Sequence, residues 1–476
     1  MPVAASRRDL EAAIAVTRFG LGARGGEIAE ASRDPRGWLK AQIRREGAEP
    51  FTTGGETANQ RLAEFRDYRR ERRAAEQGAQ GKDGVGDDAV MRARQFIRDN
   101  TSGDILARVQ LAAATDAGFR ERWTLFWANH FTVSAIKAPV SGLVGPFENE
   151  AIRPHVFGRF ADLLGAAETH PAMLLYLDQA QSIGPNSRAA QFRGRGRRGR
   201  GQDAQPRQPG LNENLAREIL ELHTVGVDGG YAQADVTEFA RALTGLSVAG
   251  PRDAGVQGAV FRGQAHEPGP RTVMGVRYPA GGKEQAGAIL ADLAARPETA
   301  RFVCTKIARH FVADDPPPAL VTGLETTWLA TGGDLARVAE TLIEAPEAWT
   351  PQPVKLKTPY EFVVSSYRAL GGEPRGVGQV NGVLGSLGQR PFGAPSPKGW
   401  PDEAAPWAAS DALVKRMQFA QTLAAVVGPR VQDPAALAER TLGDRLGPAA
   451  ATAIARAESR PEAVALLLMS PEFQRR

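Results

Sequence analysis

The most chemically loaded stretch of the chain runs from Asn212 to Gly245, NENLAREILELHTVGVDGGYAQADVTEFARALTG. At about 100° per residue, Leu215, Ile219 and Leu222 share one face of a helix from Asn212 to His223. Asn214, Arg217, Glu218 and Glu221 fall together on another arc. A polar stripe of this kind suits general acid and base chemistry, with one carboxylate raised by burial, the other kept ionised by Arg217, and Asn214 orienting a group. Joined by a histidine, it would also suit a divalent metal in a helical bundle. His130 is the histidine considered: in ERWTLFWANHF, Trp123, Phe126, Trp127 and His130 follow i, i+3, i+4, i+7, so His130 ends an aromatic face and needs partners for its ring nitrogens. A plainer account competes, because Glu213, Arg217 and Glu221 also form an i, i+4 ladder on a solvated face. His223, five residues beyond Glu218, projects about 140° away from it in a regular α-helix, where bonding the free carbonyls of the helix end is the favoured role.

Other residues carry weaker arguments. Asp228, Gly229, Tyr231 and Asp235 overlay part of a calcium loop, but Thr224 and Gly226 stand where its first carboxylates belong, so a turn and cap is favoured. His266 and Glu267 form a loop-borne pair at the tip of a β excursion, weighed equally as a site and as a surface turn. Asp178 sits near a helix end against the macrodipole and calls for a specific partner. His170 before Pro171 reads as a helix start, while His155 and His310 carry no comparable argument. The single cysteine, Cys304, excludes an intramolecular disulfide and reads as a structural thiol.

The elements that must position these groups are mostly helices. The loop Gly226 to Gly230 ends the focal helix, and Asp235 with Glu238 predicts a capping box for a second helix burying Val236, Phe239, Ala240 and Leu243. Thr358, Pro359 and Glu361 predict another, ended by Gly371. Residues 259–261 and 272–278 read as two strands flanking HEPGP, and GAPSPKGWPDEAAPW (393–407) reads as an ordered aromatic and proline loop. Two stretches lack core-forming residues: 76–89, a mobile loop of glycine, glutamine and charge, and 184–210, an Arg/Gly-rich disordered insertion.

The chain has 476 residues, 42% of them hydrophobic, enough for a sizeable core. Its net charge of +5 is local, because residues 188–207 hold seven arginines against one aspartate and the remainder sums to −1. That run can attract nucleic acid by charge, but no aromatic stacking platform accompanies it, so a solubilising insertion is favoured. No stretch approaches 18 consecutive apolar residues, and the N terminus enters an amphipathic helix without a signal-peptide pattern, which predicts a cytoplasmic location. Dinucleotide, P-loop, zincin and nucleophile-elbow motifs are all missing, which argues against nucleotide-binding α/β folds.

The focal stretch, with FWANHF (126–131), HPAMLLYLD (170–178), KTPYEFVVSSYRALG (357–371) and the terminal LLLMSPEFQ, resembles the bacterial domain-of-unknown-function family 1800 from about residue 10 onward. The resemblance implies a bacterial source and reaches Asn214, Arg217, Glu218 and Glu221, without bringing an assigned mechanism. It also suggests a phosphatase-like or sulfatase-like partner, encoded beside such proteins. Relatives of the family often carry an export signal, a pattern not expected from this N terminus, and His266-Glu267 stands where His-Asp is usual.

These observations predict a mainly α fold: a single large multi-helical domain over residues 1–476 with one small β hairpin and the two insertions. The functional expectation is an enzyme, a hydrolase or lyase on a polar polymer, using His130, Glu218, Glu221, Arg217 and Asn214, with His266 and Asp178 as secondary candidates. The alternative is a noncatalytic binding or assembly protein. No cofactor is identified and no metal site is assigned.

Overall fold

Buried arginine is the unusual ingredient of this fold: Arg18, Arg122, Arg153, Arg368, Arg416 and Arg476 are among its largest fully buried side chains. The computed structural model describes residues 7–51, 55–78, 85–137, 140–196, 210–250, 253 and 258–476. Helices dominate throughout, as predicted. Among the described residues, the β structure consists of two small antiparallel pairs, so the single hairpin expected from sequence is corrected. β1 (Leu246–Val248) pairs with β2 (Ala259–Phe261), and β3 (Arg271–Val273) pairs with β4 (Val276–Tyr278). The predicted second strand was thus a complete hairpin in itself, turning at Met274-Gly275, where both residues adopt positive φ.

The buried hydrophobic residues fall mainly into two clusters. The first is built around Gly118–His130, whose Trp123, Phe126, Trp127 and His130 are all buried, as their spacing predicted. Trp123 stacks on Phe157 with a ring separation of 6.1 Å and donates Nε1–H to the Val156 carbonyl at 2.7 Å, so its apolar body and polar tip are both satisfied. The second cluster gathers Pro359–Ala369, the helices that come after it in the chain, and Ile105 to Ala113 of Val85–Ala114. Every residue of Pro359–Ala369 is buried, the mark of a helix surrounded by protein. Its predicted capping box is present: Thr358 N–H donates to Glu361 Oε2 at 2.9 Å and Glu361 N–H to Thr358 Oγ1 at 3.3 Å. Phe392 packs against both clusters.

Three π-helical turns, Ala15–Phe19, Glu148–Ile152 and Ile219–His223, interrupt the helical ladder. Each carries a buried ionisable side chain: Arg18, Glu148 and His223. In the middle case, Arg153 binds Glu121 through both Nη groups at 2.9 and 2.7 Å and reaches Glu148 Oε1 at 2.8 Å, while Arg108 Nε donates to Glu148 Oε2 at 2.7 Å.

The segment expected to loop at 76–89 is helical at both ends, within Ala58–Gly78 and Val85–Ala114, with 79–84 outside the described residues. Likewise Arg188–Gly196 is helical, while 197–209 lie outside them. Among the described residues, no helix is long and apolar enough to cross a membrane.

Replacing Arg153 with alanine leaves the Glu121 carboxylate buried without its guanidinium and Glu148 with Arg108 alone. A loss of about 3–5 kcal/mol is expected, read as a lower urea midpoint at unchanged slope. A midpoint within error of the parent would show that the Arg153 cluster does not hold the core.

Candidate functional site

The focal helix does not keep the regular geometry on which its sequence reading rests. It is α-helical over Asn214–Glu218 and continues as a π turn over Ile219–His223. The wider i→i+5 turn rotates the side chains beyond Glu218, so Leu220 is fully buried and Leu222, expected in the core, is only half-buried. Thr224 Oγ1 donates to the Ile219 carbonyl at 2.7 Å, satisfying an acceptor that the altered turn exposes.

The polar stripe is half-buried at Arg217, Glu218 and Glu221 and exposed at Asn214. Arg217 donates to Gln233 Oε1 at 2.9 Å and Glu213 Oε2 at 3.3 Å and lies 3.7 Å from Glu221 Oε1, forming the i, i+4 ladder. Burial raises the Glu218 carboxyl, opposed by His223. His130 stands apart: among the described residues, no hydrogen bond or ion pair joins it to any member of the stripe. Its Nε2–H donates to the His223 carbonyl at 3.1 Å, and its Nδ1 faces Lys306 Nζ at 3.0 Å. Burial, then Lys306, hold the ring well below the ordinary histidine range.

His223 is fully buried, not bonded to the helix-end carbonyls. Its Nδ1 lies 2.7 Å from Glu168 Oε1, close enough for an ion pair, though its angle falls outside that of a hydrogen bond. Asp178, at φ 57°, has found its partner in Lys137 Nζ at 2.9 Å and is exposed. His266 and Glu267 are both buried and diverge, which corrects their placement at a hairpin tip. His266 Nδ1–H donates to the Thr244 carbonyl at 2.8 Å, while Glu267 accepts from the Asn186 backbone and side-chain amides at 2.7 and 2.6 Å. Asp235 occupies the third helical position, not the cap, and its two oxygens accept from Ala232 and Met274 N–H. That leaves it a structural role in place of a calcium ligand. Glu238 pairs instead with Arg241 and Arg271. Among the described residues, no group of three or more histidine, cysteine or acidic side chains is arranged to hold a metal ion.

The most developed constellation lies elsewhere, in a cleft of about 110 Å³ lined by residues of both hydrophobic clusters. His310, near the end of Pro297–Phe311, donates Nδ1–H to Asp402 Oδ1 at 2.8 Å. A carboxylate accepts, so the proton of the neutral ring sits on Nδ1 and Nε2 carries the lone pair. That Nε2 has no hydrogen-bond partner among the described residues. Burial is the main influence that pulls His310 down to about 4; Asp402 opposes it, and Arg122 and Arg476 add to it. Burial disfavours the Asp402 carboxylate, but His310, Lys306 and Lys355 outweigh it and its pKa falls.

One wall of the cleft is the cap of Pro359–Ala369. Glu361, already bonded to Thr358, receives Arg122 Nη2 at 2.5 Å and Arg476 Nε at 3.1 Å, and Arg476 Nη1 also donates to the His310 carbonyl at 2.6 Å. Burial works against the Glu361 carboxyl, yet the two guanidiniums hold it far below the usual range. Another wall is the loop at 399–402. The Asn129 amide donates to Trp400 O at 2.9 Å and accepts from Trp400 N–H at 2.8 Å. Gly399 is required there, with φ +81° and a would-be Cβ only 2.5 Å from the Asn129 carbonyl. Phe392 lines the same cleft at φ 51°, a strained conformation for a bulky side chain, with the Arg108 guanidinium 5.1 Å from its ring.

Sequence reasoning missed His310 and Asp402. The available signal was Lys306 and His310 at i, i+4 on one helix; Asp402 lies 92 residues from His310, beyond any spacing pattern. Cys304, by contrast, is buried and its thiol is pushed up by that burial, as a structural thiol requires.

Comparison with known proteins gives one finding: the model of a family described as Protein of unknown function (DUF1800) matches residues 14–475. No curated protein and no solved structure matches the chain.

Because the folded pKa of His310, about 4, lies below its ordinary 6.5, the unfolded chain takes up this proton first. The resulting stability is complete above pH 6.5 and is lost as pH falls towards 4. Urea midpoints measured across that window should decline, and His310→Gln, which cannot titrate, should make the decline shallower. Parallel curves for the two proteins would refute the burial of a neutral imidazole.

Proposed function

This chain belongs to the DUF1800 family, and we propose that it is an enzyme, a hydrolase or lyase whose general base is His310 held by Asp402. The observation that carries this reading is the buried, unpartnered Nε2 of a cleft-lining histidine whose other nitrogen is fixed by a carboxylate. A water or substrate hydroxyl in the cleft gives its proton to Nε2, and Asp402 stabilises the imidazolium that forms, without itself taking the proton. Arg108 makes its hydrogen bond through Nε, to Glu148, leaving its Nη edge near Tyr360 and Phe392 to meet negative charge that develops on the substrate.

The cations beside His310 give the site a preference. Arg122 and Arg476 disfavour protonation of the ring, so an anionic substrate that offsets them raises its basicity when bound. At about 110 Å³ open to a water-sized sphere, the cavity has room for a substrate group of several atoms, since about 10–15 Å³ measured in this way admits one water. A polar polymer would present a chain end or a side group to it. The focal stripe then has a supporting role: its π turn supplies the carbonyl that fixes the tautomer of His130.

Purified protein assayed against p-nitrophenyl esters, phosphates, sulfates and glycosides should turn over one class, and His310→Gln should reduce kcat about 10²- to 10⁴-fold at unchanged melting temperature. Turnover that survives the substitution, or failure on every class, would remove the basis of this reading.

A further inference from the structure

Lys306 lies in the same helix as His310, one turn earlier, and is half-buried. Among the described residues it has no ion pair, and its hydrogen bond is to His130 Nδ1 at 3.0 Å. The direction of that bond is fixed by the far side of the ring. The His223 carbonyl can only accept, so His130 Nε2 bears the proton and Nδ1 is a lone pair. Nζ therefore donates, and a neutral imidazole, unlike a carboxylate, does not offset an ammonium charge.

The surroundings act in the same sense. The Phe302 ring centroid is 5.5 Å from Nζ on the preceding turn, and Phe302 is itself packed by the focal loop, where a Cβ on Gly226 would lie 2.6 Å from its ring. Burial has the largest influence and brings the amine down to about 8; Asp402 opposes this, while Lys398 and Arg309 reinforce it. With His130, these are the charged and titratable groups that face Nζ. A lysine desolvated in this way, with an acceptor fixed against its nitrogen, has what a nucleophilic amine needs at neutral pH.

We infer that Lys306 is a reactive amine that condenses with the carbonyl group of an aldehyde or ketone to form an imine. The Nζ lone pair of the neutral amine adds to the carbonyl carbon, both nitrogen protons pass in turn by way of His130 Nδ1 to the former carbonyl oxygen, and that oxygen leaves as water when the C=N bond forms. The condensation is redox neutral and needs no further reactant. It uses no step assigned to His310.

Limiting formaldehyde with cyanoborohydride at pH 7, followed by peptide mass mapping of the full-length protein, compares Lys306 with the exposed Lys40, Lys283 and Lys398 on the same molecule. Lys306 should be alkylated about tenfold faster or more, from its larger neutral fraction, and the advantage should shrink at pH 10. Labelling of Lys306 no faster than the exposed lysines overturns the inference. Because the measurement needs neither a variant nor turnover, it succeeds or fails independently of the His310 reading.

Discussion

The burial of guanidinium groups is the constraint on which the remaining architecture depends. A guanidinium removed from water must find acceptors for a rigid fork of donors, and in this protein those acceptors come from distant parts of the chain. Arg18 binds the carbonyls of Ala348 and Gln352; Arg368 binds the Glu27 carboxylate and the carbonyls of Gly22, Ala112 and Thr115. Each clamp fixes a loop or helix end whose backbone would otherwise be unsatisfied. Such clamps are expensive to form and far more expensive to leave half-made, so they specify one arrangement of helices out of the many that hydrophobic burial alone would permit.

The Arg122, Glu361 and Arg476 cluster shows how this constraint reaches the candidate site. Arg122 belongs to the aromatic helix of the first hydrophobic cluster, and Glu361 caps a buried helix of the second. Joining them sets the two clusters side by side, and the cleft opens along the junction. The same cations then depress His310, so a fold-determining interaction also tunes a candidate base. Asn129 and Gly399 do comparable work on the opposite wall, where a backbone approach too close for any Cβ brings Asp402 within reach of His310.

The π turns give a second link between fold and site. A π turn interrupts the regular ladder and rotates the residues after it, at some loss of hydrogen-bond regularity, and here each one buries an ionisable side chain. In the focal helix the rotation carries His223 into the core beside Glu168 and aims its carbonyl at His130. That carbonyl fixes the His130 ring from one side while Lys306 bonds its other nitrogen, and Arg217 and Glu221 keep to an i, i+4 ladder.

Where the helix stays regular, short-range periodicity and local capping could be read from the sequence; Leu222 and the cap placed at Asp235 are the exceptions. The aromatic face of Trp123, Phe126, Trp127 and His130 is buried because the 3.6-residue period is a property of the backbone. The Thr358 and Glu361 box forms because both partners lie within one turn. The sequence also called for a specific partner for Asp178, without pointing to Lys137. Only the tertiary structure decided the pairings: His310 with Asp402, His223 with Glu168, and Arg122 with Glu361 and Arg476. Their partners are separated by tens to hundreds of residues and are selected by the need to satisfy buried charge, which leaves no spacing in the chain. The strand pairing of Ala259–Phe261 with Leu246–Val248 and the π turn at Ile219–His223 were likewise settled by packing, and that turn leaves Leu222 half-buried and carries His223 into the core.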